Sequence, residues 1–308
     1  MKRILLLTIL ISSTLAGFGQ QDPEYNQYMF NLLGVNPAYA GAREVLSTAL
    51  LYRNQWVGFE GAPKTQTFSL NAPLKQKKIG LGFQVTNDEI GPKRTISADL
   101  SYAYRIRAFG GKLSFGLRSG FYHYRFDWNQ IDYKDEGDVV PILGASTLTV
   151  PNFDFGLFYN TNTFYTGIEL THLNQPKLSI LDTSINGNNS FQFRHITAIV
   201  GKAFVLNENV SLRPSVLFKQ AGATTGFVDL NFNVLFNEVF WAGIAYRPTY
   251  GIIAILEYDF LKKYRLGYSF DYPTNQLSNK NAGTHEIFLG IDFDIARSKA
   301  ESPRLFYF

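Results

Sequence analysis

An alternation of apolar and polar side chains recurs from residue 45 to residue 295, and it constrains the fold more than any other feature of the sequence. In residues 226–236, Val, Leu and Phe occupy every second position and are opposed mainly by Asp and Asn. Residues 95–107, 264–272 and 285–295 follow the same pattern. A period of two is typical of a β-strand with one apolar and one polar face. We therefore predict an all-β protein.

The number and length of these segments favour a membrane barrel over a soluble sandwich. They are roughly 9 to 13 residues long, whereas soluble strands usually have about five or six residues, and a tilted strand needs about 9 to 11 to cross a bilayer. Fourteen strands are predicted, an even number, as in single-chain bacterial barrels. They lie near residues 45–55, 65–72, 79–88, 95–107, 112–126, 152–159, 163–173, 195–205, 210–219, 226–236, 239–248, 251–261, 264–272 and 284–295.

The connections between the strands fall into two alternating sets. One set contains tight turns, at residues 75–78, 108–111, 160–162, 207–209, 237–238 and 262–263. The other includes the longer segments 56–64, 128–151, 174–194 and 272–283. Short periplasmic turns and longer extracellular loops are typical of outer-membrane barrels, and closure leaves no unpaired sheet edge in lipid. The sequence thus predicts a transmembrane, antiparallel outer-membrane β-barrel of about 14 strands.

Three segments flank the predicted barrel of residues 45–295. Residues 1–19 have the basic start, apolar run and small-residue end of a cleavable signal peptide. Their apolar run of eight residues is too short for a membrane-spanning helix, which needs about 20. Residues 20–44 are expected to form an N-terminal periplasmic or plug segment, and residues 296–308 a C-terminal tail. The expected location is integral to the outer membrane, in contact with the lipid bilayer.

Composition argues against a nucleic-acid-binding function. Aromatic residues make up 16% of the chain and charged residues only 18%, and there is no cysteine, so stability must come from packing or from a closed sheet. The net charge is +4, but the Lys and Arg residues are scattered and form no basic block. A nucleic-acid partner is therefore not expected.

Charges of both signs fall on the polar faces of the predicted strands, which would line the lumen. Barrels of this size commonly fill part of the lumen with side chains or a plug. These charges could therefore pair across a crowded interior, or they could form a selectivity lining or a docking surface for a guest. The residues are Asp99, Arg105, Arg118, Glu169, Arg213, Asp229, Arg247, Glu257, Asp259, Arg265 and Asp271.

Two of these carboxylates, Glu257 and Asp259, face the same side of one strand. Paired carboxylates can share acid–base catalysis when their pKa values are pushed apart. In a lumen they more commonly neutralise arginines, here Arg247 and Arg265. We therefore expect ion pairing rather than catalysis.

No other set of residues indicates chemistry. The histidines lack metal-ligand spacing, and the acidic cluster within residues 132–138 matches no calcium loop. The sequence thus predicts no enzyme, no cofactor and no metal. The histidines are His123, His172, His195 and His285.

Aromatic side chains occur in the longer loops, at Trp56, Phe59 and Trp128. Exposed aromatics at a barrel mouth serve as interfacial girdle residues or as anchors for a protein partner. The sequence leaves both interpretations open.

Two strings near the N-terminus carry a family resemblance. Residues 27–31 (QYMFN) and 36–41 (NPAYAG) resemble the start of mature PorP/SprF proteins, and residues 52–73 (YRNQWVGFEGAPKTQTFSLNAP) are similar to that family's most characteristic segment. Residues 32–35 (LLGV) depart from the pattern, because members often carry a proline-containing linker there.

The resemblance implies an outer-membrane component of the type IX secretion system of Bacteroidota, which is linked to gliding motility. It implies two partner classes: a secreted adhesin-type cargo with a C-terminal sorting domain, and the periplasmic ring of the machinery. Arg53, Trp56, Phe59, Lys64 and Trp128 are the partner-binding candidates, although Arg53 could instead pair inside the lumen. Whether such a protein belongs to the core machinery or serves one cargo stays open.

Two other functions are compatible with the sequence. A channel for small or apolar solutes is one, because fourteen strands also occur among fatty-acid transporters. A purely structural barrel that tethers the envelope is the other.

Overall fold

The computed structural model describes residues 22–74, 77–131, 144–178, 191–222, 226–248, 250–275 and 281–293. The predicted signal peptide, the C-terminal tail and the acidic cluster of residues 132–138 lie outside these ranges. The strands are β1 (Leu46–Asn54), β2 (Lys64–Leu74), β3 (Ile79–Ile90), β4 (Lys93–Ala108), β5 (Gly111–Asp127), β6 (Ala145–Asn160), β7 (Phe164–Thr171), β8 (His195–Lys202), β9 (Phe204–Val205), β10 (Val210–Ala221), β11 (Phe227–Phe236), β12 (Phe240–Arg247), β13 (Gly251–Phe260), β14 (Tyr264–Pro273) and β15 (Thr284–Phe293).

The strands form one closed antiparallel barrel. Except for β8 and β9, strands adjacent in sequence pair with each other, and β1 also pairs with β15, from Leu46 opposite Phe293 to Asn54 opposite His285. The two-residue strand β9 continues β8 beyond Ala203 and shares its partner β10. Because β8 and β9 together form one strand of the barrel wall, the described barrel has fourteen strands, which confirms the predicted fold. Among the described residues, no helix has the length and apolar character needed to span a bilayer.

The period of two separates an apolar outer face from a polar lumen. In β13, Ile252, Leu256 and Tyr258 point outward and are 43–48% exposed, whereas the alternating Ile253 and Glu257 are buried. An apolar exterior suits a hydrocarbon environment, and the polar residues are confined to the interior.

One predicted boundary is wrong. Residues 145–151 were expected to belong to a long loop, but they form the first half of β6 and pair with β5 as far as Asp127 opposite Ala145. The segment alternates Thr with Leu and Val, and this short stretch can satisfy its backbone hydrogen bonds only by extending the β5–β6 hairpin.

The connections define two ends of the barrel. The short-turn end carries the tight turns between β2–β3, β4–β5, β6–β7, β9–β10, β11–β12 and β13–β14. The long-loop end carries the longer segments 55–63, 128–144, 172–194 and 274–283, together with shorter connections such as 91–92.

Residues 22–44, here called the plug segment, lie inside the barrel. Three single turns of 3₁₀ helix, at Tyr28–Phe30, Leu32–Gly34 and Pro37–Tyr39, shape the segment. It runs from the long-loop end, where Asp22 contacts the start of β8, to the short-turn end, where it joins β1.

Glycines in the barrel wall make room for the plug segment. A methyl group at Gly80 of β3 would lie 1.8 Å from the carbonyl oxygen of Ala40, and one at Gly116 of β5 would lie 2.1 Å from the backbone nitrogen of Ala38. No side chain fits at such distances, so the backbones of wall and plug segment are in direct contact.

Candidate functional site

The centre of the plug segment is apolar and fully enclosed. The Phe30 ring packs edge-on against Trp241 of β12, with centroids 5.9 Å apart, and against Phe288 of β15 at 6.3 Å. Met29 and Leu33 are also buried, at 0% and 1% exposure. These contacts form a hydrophobic core within an otherwise polar lumen, and they fix the plug segment at mid-height.

Four wall arginines donate hydrogen bonds to backbone carbonyls of the plug segment. Turns of 3₁₀ helix leave carbonyls without backbone partners, and each buried one needs a donor. The guanidinium groups, which carry several donors in a fixed fork, supply them from the wall. The pairs are Arg105 with Ala40, Arg118 with Leu33, Arg213 with Met29 and Arg265 with Phe30, at 2.5–3.1 Å.

The wall also binds backbone amides of the plug segment through one carboxylate near the long-loop end. Glu286 accepts hydrogen bonds from the amides of Asn26 at 3.0 Å and Gln27 at 2.8 Å. Arg53 lies beside it and pairs with Glu286 at 3.2 Å and Asp271 at 3.0 Å. All three charged side chains are at most 2% exposed, so this triad binds the plug segment as one buried unit.

Two further ion clusters connect neighbouring elements. Arg118 of β5 pairs with Asp154 of β6 at 3.0 Å and with Glu169 of β7 at 2.9 Å. Arg247 of β12 pairs with Asp229 of β11 at 2.7 Å and with Glu24 of the plug segment at 3.0 Å.

The short-turn end has its own ionic contacts. Arg43 pairs with Asp292 of β15 at 2.5 Å. Glu44 contacts Lys77, in the β2–β3 turn, and Lys112 of β5. Burial would raise the pKa of Glu44, but the two ammonium groups outweigh it and hold that pKa below its usual value.

A polar cavity of about 110 Å³ remains between the plug segment and the long-loop end. Its lining is rich in charged side chains, with more acidic than basic groups. They include Asp22, Glu24, Asp88, Asp99, Glu169 and Asp229 on the acidic side, and Arg118, Lys219 and Arg247 on the basic side.

Beside this cavity, two histidines meet the first described residue of the plug segment. Asp22 Oδ2 lies 3.0 Å from His172 Nε2 and 2.8 Å from His195 Nδ1. Burial disfavours ionisation of Asp22, yet the two imidazoles outweigh it and hold its pKa well below the usual range. The sequence does not reveal this cluster, because Asp22 is 150 residues from His172. The sequence offers one indication that the two histidines are neighbours, because His172 and His195 lie at the two ends of the long β7–β8 connection.

A family model described as type IX secretion system membrane protein PorP/SprF matches residues 17–291 of the sequence, which include the whole plug segment and nearly all of the barrel. The chain belongs to this family. The PorP/SprF resemblance predicted from residues 27–41 and 52–73 is thus confirmed. An outer-membrane location agrees with both the family and the barrel fold.

Solved structures similar to this PorP/SprF chain are other outer-membrane barrels. Omp33 of Acinetobacter baumannii shares 8% identity over 81% of this chain and 99% of its own, with a TM-score of 0.48. A FadL homologue of Pseudomonas aeruginosa shares 13% identity over 90% and 96%, with a TM-score of 0.46. The CymD monoaromatic hydrocarbon channel shares 13% over 92% and 97%, with a TM-score of 0.45. No curated protein matches the sequence.

The partner-binding candidates of this PorP/SprF chain do not form one surface. Arg53 is buried in the lumen. Phe59 is 49% exposed at the long-loop end, and Lys64, at the start of β2, is exposed there as well. Trp56 is partly buried and donates no side-chain hydrogen bond among the described residues. The Trp128 ring packs against Phe126 and donates to Ser146 at 2.9 Å.

The lumen charges predicted from the sequence all have buried side chains that point into the barrel. One predicted pairing is wrong: Arg247 lies near the long-loop end with Asp229 and Glu24, whereas Glu257 lies in the opposite half of the barrel. The register of the β12–β13 hairpin places Arg247 opposite Gly251 and Glu257 opposite Trp241, which keeps the two charges near opposite ends of the strands.

Proposed function

We propose that this chain is an outer-membrane component of the type IX secretion system that binds protein partners and forms no open pore. The partners are a secreted adhesin-type cargo with a C-terminal sorting domain, the periplasmic ring of the machinery, or both. In this proposal residues 1–19 serve as a cleavable signal peptide, the role extends to gliding motility in a member of the Bacteroidota, and the protein has no catalytic role.

The proposal is supported by one observation: in a chain of a secretion-system family, the plug segment occupies the lumen of the barrel. Its backbone is bonded to wall residues at several heights of the barrel, from Glu286 near the long-loop end to Arg105 near the short-turn end. A lumen occupied in this way favours recognition at the two ends of the barrel over transport through its centre.

Both ends offer exposed side chains suited to protein contacts. At the short-turn end, Phe109 and Leu261 are 91% and 81% exposed at the tips of tight turns. At the long-loop end, Phe59 and Lys64 are both exposed, and both belong to the segment 52–73 that is most similar to the family. Exposed aromatic side chains are common anchors in protein interfaces. The short-turn end therefore suits the periplasmic ring, and the long-loop end suits the cargo.

The test is affinity purification of the tagged chain from native outer membranes, followed by mass spectrometry. Recovery of a large protein with a C-terminal sorting domain supports the cargo role, and recovery of ring components supports membership of the core machinery. The pair Phe59→Ala/Lys64→Glu should reduce cargo recovery, and Phe109→Asp/Leu261→Asp should reduce ring recovery. The lipid-facing change Phe232→Ala is the matched control and should affect neither. Recovery of neither partner class, together with ion conduction by the purified barrel, would favour the solute channel instead.

A further inference from the structure

Three polar side chains from distant parts of the chain meet at the long-loop end. Asp22 comes from the plug segment, His172 directly follows β7, and His195 is the first residue of β8. The side chains of His172 and His195 are 1% and 2% exposed, and that of Asp22 is 15% exposed beside the polar cavity. Nothing in the proposed function uses this cluster.

The spacing of the three groups is that of a metal-ligand set. Each offers one ligand atom, and the three atoms lie within 4.8 Å of one another. The carboxylate oxygen is 3.0 Å from one imidazole nitrogen and 2.8 Å from the other. In a tetrahedral zinc site with bonds of about 2.0–2.1 Å, ligand atoms lie roughly 3.3–3.4 Å apart. The two distances from the carboxylate would have to expand by about 0.3–0.6 Å, and the two imidazole nitrogens already lie within 4.8 Å of each other.

His195 supplies an independent indication of a ligand. Both of its ring nitrogens are buried and form no hydrogen bond with any described residue, although Nδ1 faces Asp22 at 2.8 Å. Buried polar atoms are nearly always bonded, and an absent ion is one of the accepted explanations for an exception. A metal ion between His195 and Asp22 would satisfy Nδ1.

The surroundings of His172 orient it as a ligand. Its Nδ1 lies 2.7 Å from Asn152 Oδ1, which is held in turn by Asp154 through Asn152 Nδ2 at 2.9 Å. Because the amide oxygen can only accept, Nδ1 carries a proton, and Nε2 is the nitrogen that faces Asp22 and would bind a metal ion. A ligating histidine typically has such a partner on its other nitrogen.

A fourth position is available to Gln192. Its amide nitrogen lies 2.9 Å from Asp22 Oδ1 and 3.1 Å from His172 Nε2. Turning the amide over brings Oε1 to the same place, and the Tyr124 hydroxyl, now bonded to Oε1 at 3.1 Å, then accepts from Nε2.

We propose that Asp22, His172 and His195 bind one divalent transition-metal ion, with Zn²⁺ as the expected species, and that the ion clamps the plug segment to the barrel wall. Two imidazole nitrogens and one carboxylate suit zinc, whereas calcium and magnesium prefer sets composed only of oxygen ligands. The clamp joins residues 150 positions apart in the chain. It holds the end of the plug segment that no covalent bond attaches to the barrel.

The test uses the full mature chain purified in detergent, stripped with a chelator, reloaded with Zn²⁺ and dialysed. Elemental analysis should find about one zinc per chain, and Co²⁺ substitution should give the visible absorption of a tetrahedral site. Asp22→Asn, His172→Gln and His195→Gln should each reduce zinc affinity at least 100-fold. Asn152 is a positioning residue: Asn152→Leu should reduce affinity about 10- to 100-fold, and Asn152→Asp should restore it.

Histidines outside the cluster provide matched controls. His123 and His285 are hydrogen-bonded to Thr149 and Tyr268 on the exposed surface, and His123→Gln and His285→Gln should keep full zinc binding. Circular dichroism confirms that each variant is folded. If His172→Gln does not fold, His195→Gln carries the test, because the ring nitrogens of His195 lose only the ion pair with Asp22, whereas His172 also contacts Asn152. The proposal is overturned if the stripped wild-type chain takes up no zinc, or if the controls lose it together with the cluster variants.

Discussion

Replacing Arg53 should destabilise the barrel far more than replacing an exposed arginine. Arg53→Met removes both ion pairs of the triad and leaves the carboxylates of Asp271 and Glu286 buried without their cation. Glu286 accepts hydrogen bonds from the backbone amides of Asn26 and Gln27, and Asp271 accepts one from the side chain of Asn26, so the plug segment is affected as well. This substitution also separates the two interpretations of Arg53, as a partner-binding residue or as a lumen residue.

The magnitude follows from burial. All three side chains are at most 2% exposed, so water cannot solvate the remaining carboxylates. Breaking a buried ion pair by removing one partner costs about 3–5 kcal/mol, which is roughly two to three and a half powers of ten in the folding equilibrium. Replacing the whole cluster is far less costly. The triple variant Arg53→Met/Asp271→Asn/Glu286→Gln should therefore recover most of the loss.

Urea unfolding of the barrel in lipid bilayers, followed by tryptophan fluorescence, measures the free energy of unfolding. The matched control is Arg94→Met. Arg94 pairs with Glu89 at 3.3 Å, but both side chains are about half exposed, so this change should cost at most about 1 kcal/mol. Equal effects of Arg53→Met and Arg94→Met, or a triple variant no more stable than Arg53→Met, would refute the reasoning.

Three further predictions concern the plug segment. Phe30→Ala should lower the free energy of unfolding by about 3–5 kcal/mol, because it empties the space between two wall aromatics; the same urea titration measures this. Gly116→Ala should displace the plug segment, because the new methyl group would overlap the backbone of Ala38, and limited proteolysis of residues 22–44 detects the change. The pKa of Glu44 is lower in the folded chain than in the unfolded one, so its contribution to stability is present above about pH 4.5 and is lost as the pH falls below that value. Unfolding as a function of pH, compared with Glu44→Gln, measures this contribution.

Each of these changes has a control. Phe232→Ala removes a lipid-facing ring and should cost less than Phe30→Ala. Gly34→Ala adds a methyl group whose nearest neighbour is 3.4 Å away, so it should leave proteolysis unchanged. The predictions fail if Phe30→Ala equals its control, if Gly116→Ala leaves the plug segment protected, or if Glu44→Gln loses as much stability at low pH as the wild type.

The barrel could be predicted from the sequence because its pattern is local. Each strand carries its own alternation, and each tight turn its own turn residues, so the number of strands and their inward faces follow from neighbouring positions. Where the pattern weakens, so does the prediction: the first half of β6 combines Ser and Thr with few apolar residues, and its strand structure depends on the adjacent β5.

The interior could not be predicted to the same degree because its contacts are long-range. Inward charges could be identified, but their partners depend on strand register and on the path of residues 22–44. The arginines that bind plug carbonyls have backbone partners, which no side-chain pattern reveals. Asp22, His172 and His195 meet only because the plug segment crosses the full height of the barrel.

The path of the plug segment also bears on the order in which the barrel can assemble. Asp22 lies at the long-loop end, whereas the segment joins β1 at the short-turn end. If the barrel closed first, the segment would have to thread through a closed lumen that is lined by the arginines that bind its carbonyls. No threading is needed if the segment binds to the sheet before the sheet closes. The seam between β1 and β15 joins the first and last strands of the described residues, and it can form only after β15 has been made. The N-terminal segment can therefore act as the internal template around which the sheet curls, with the seam closing last.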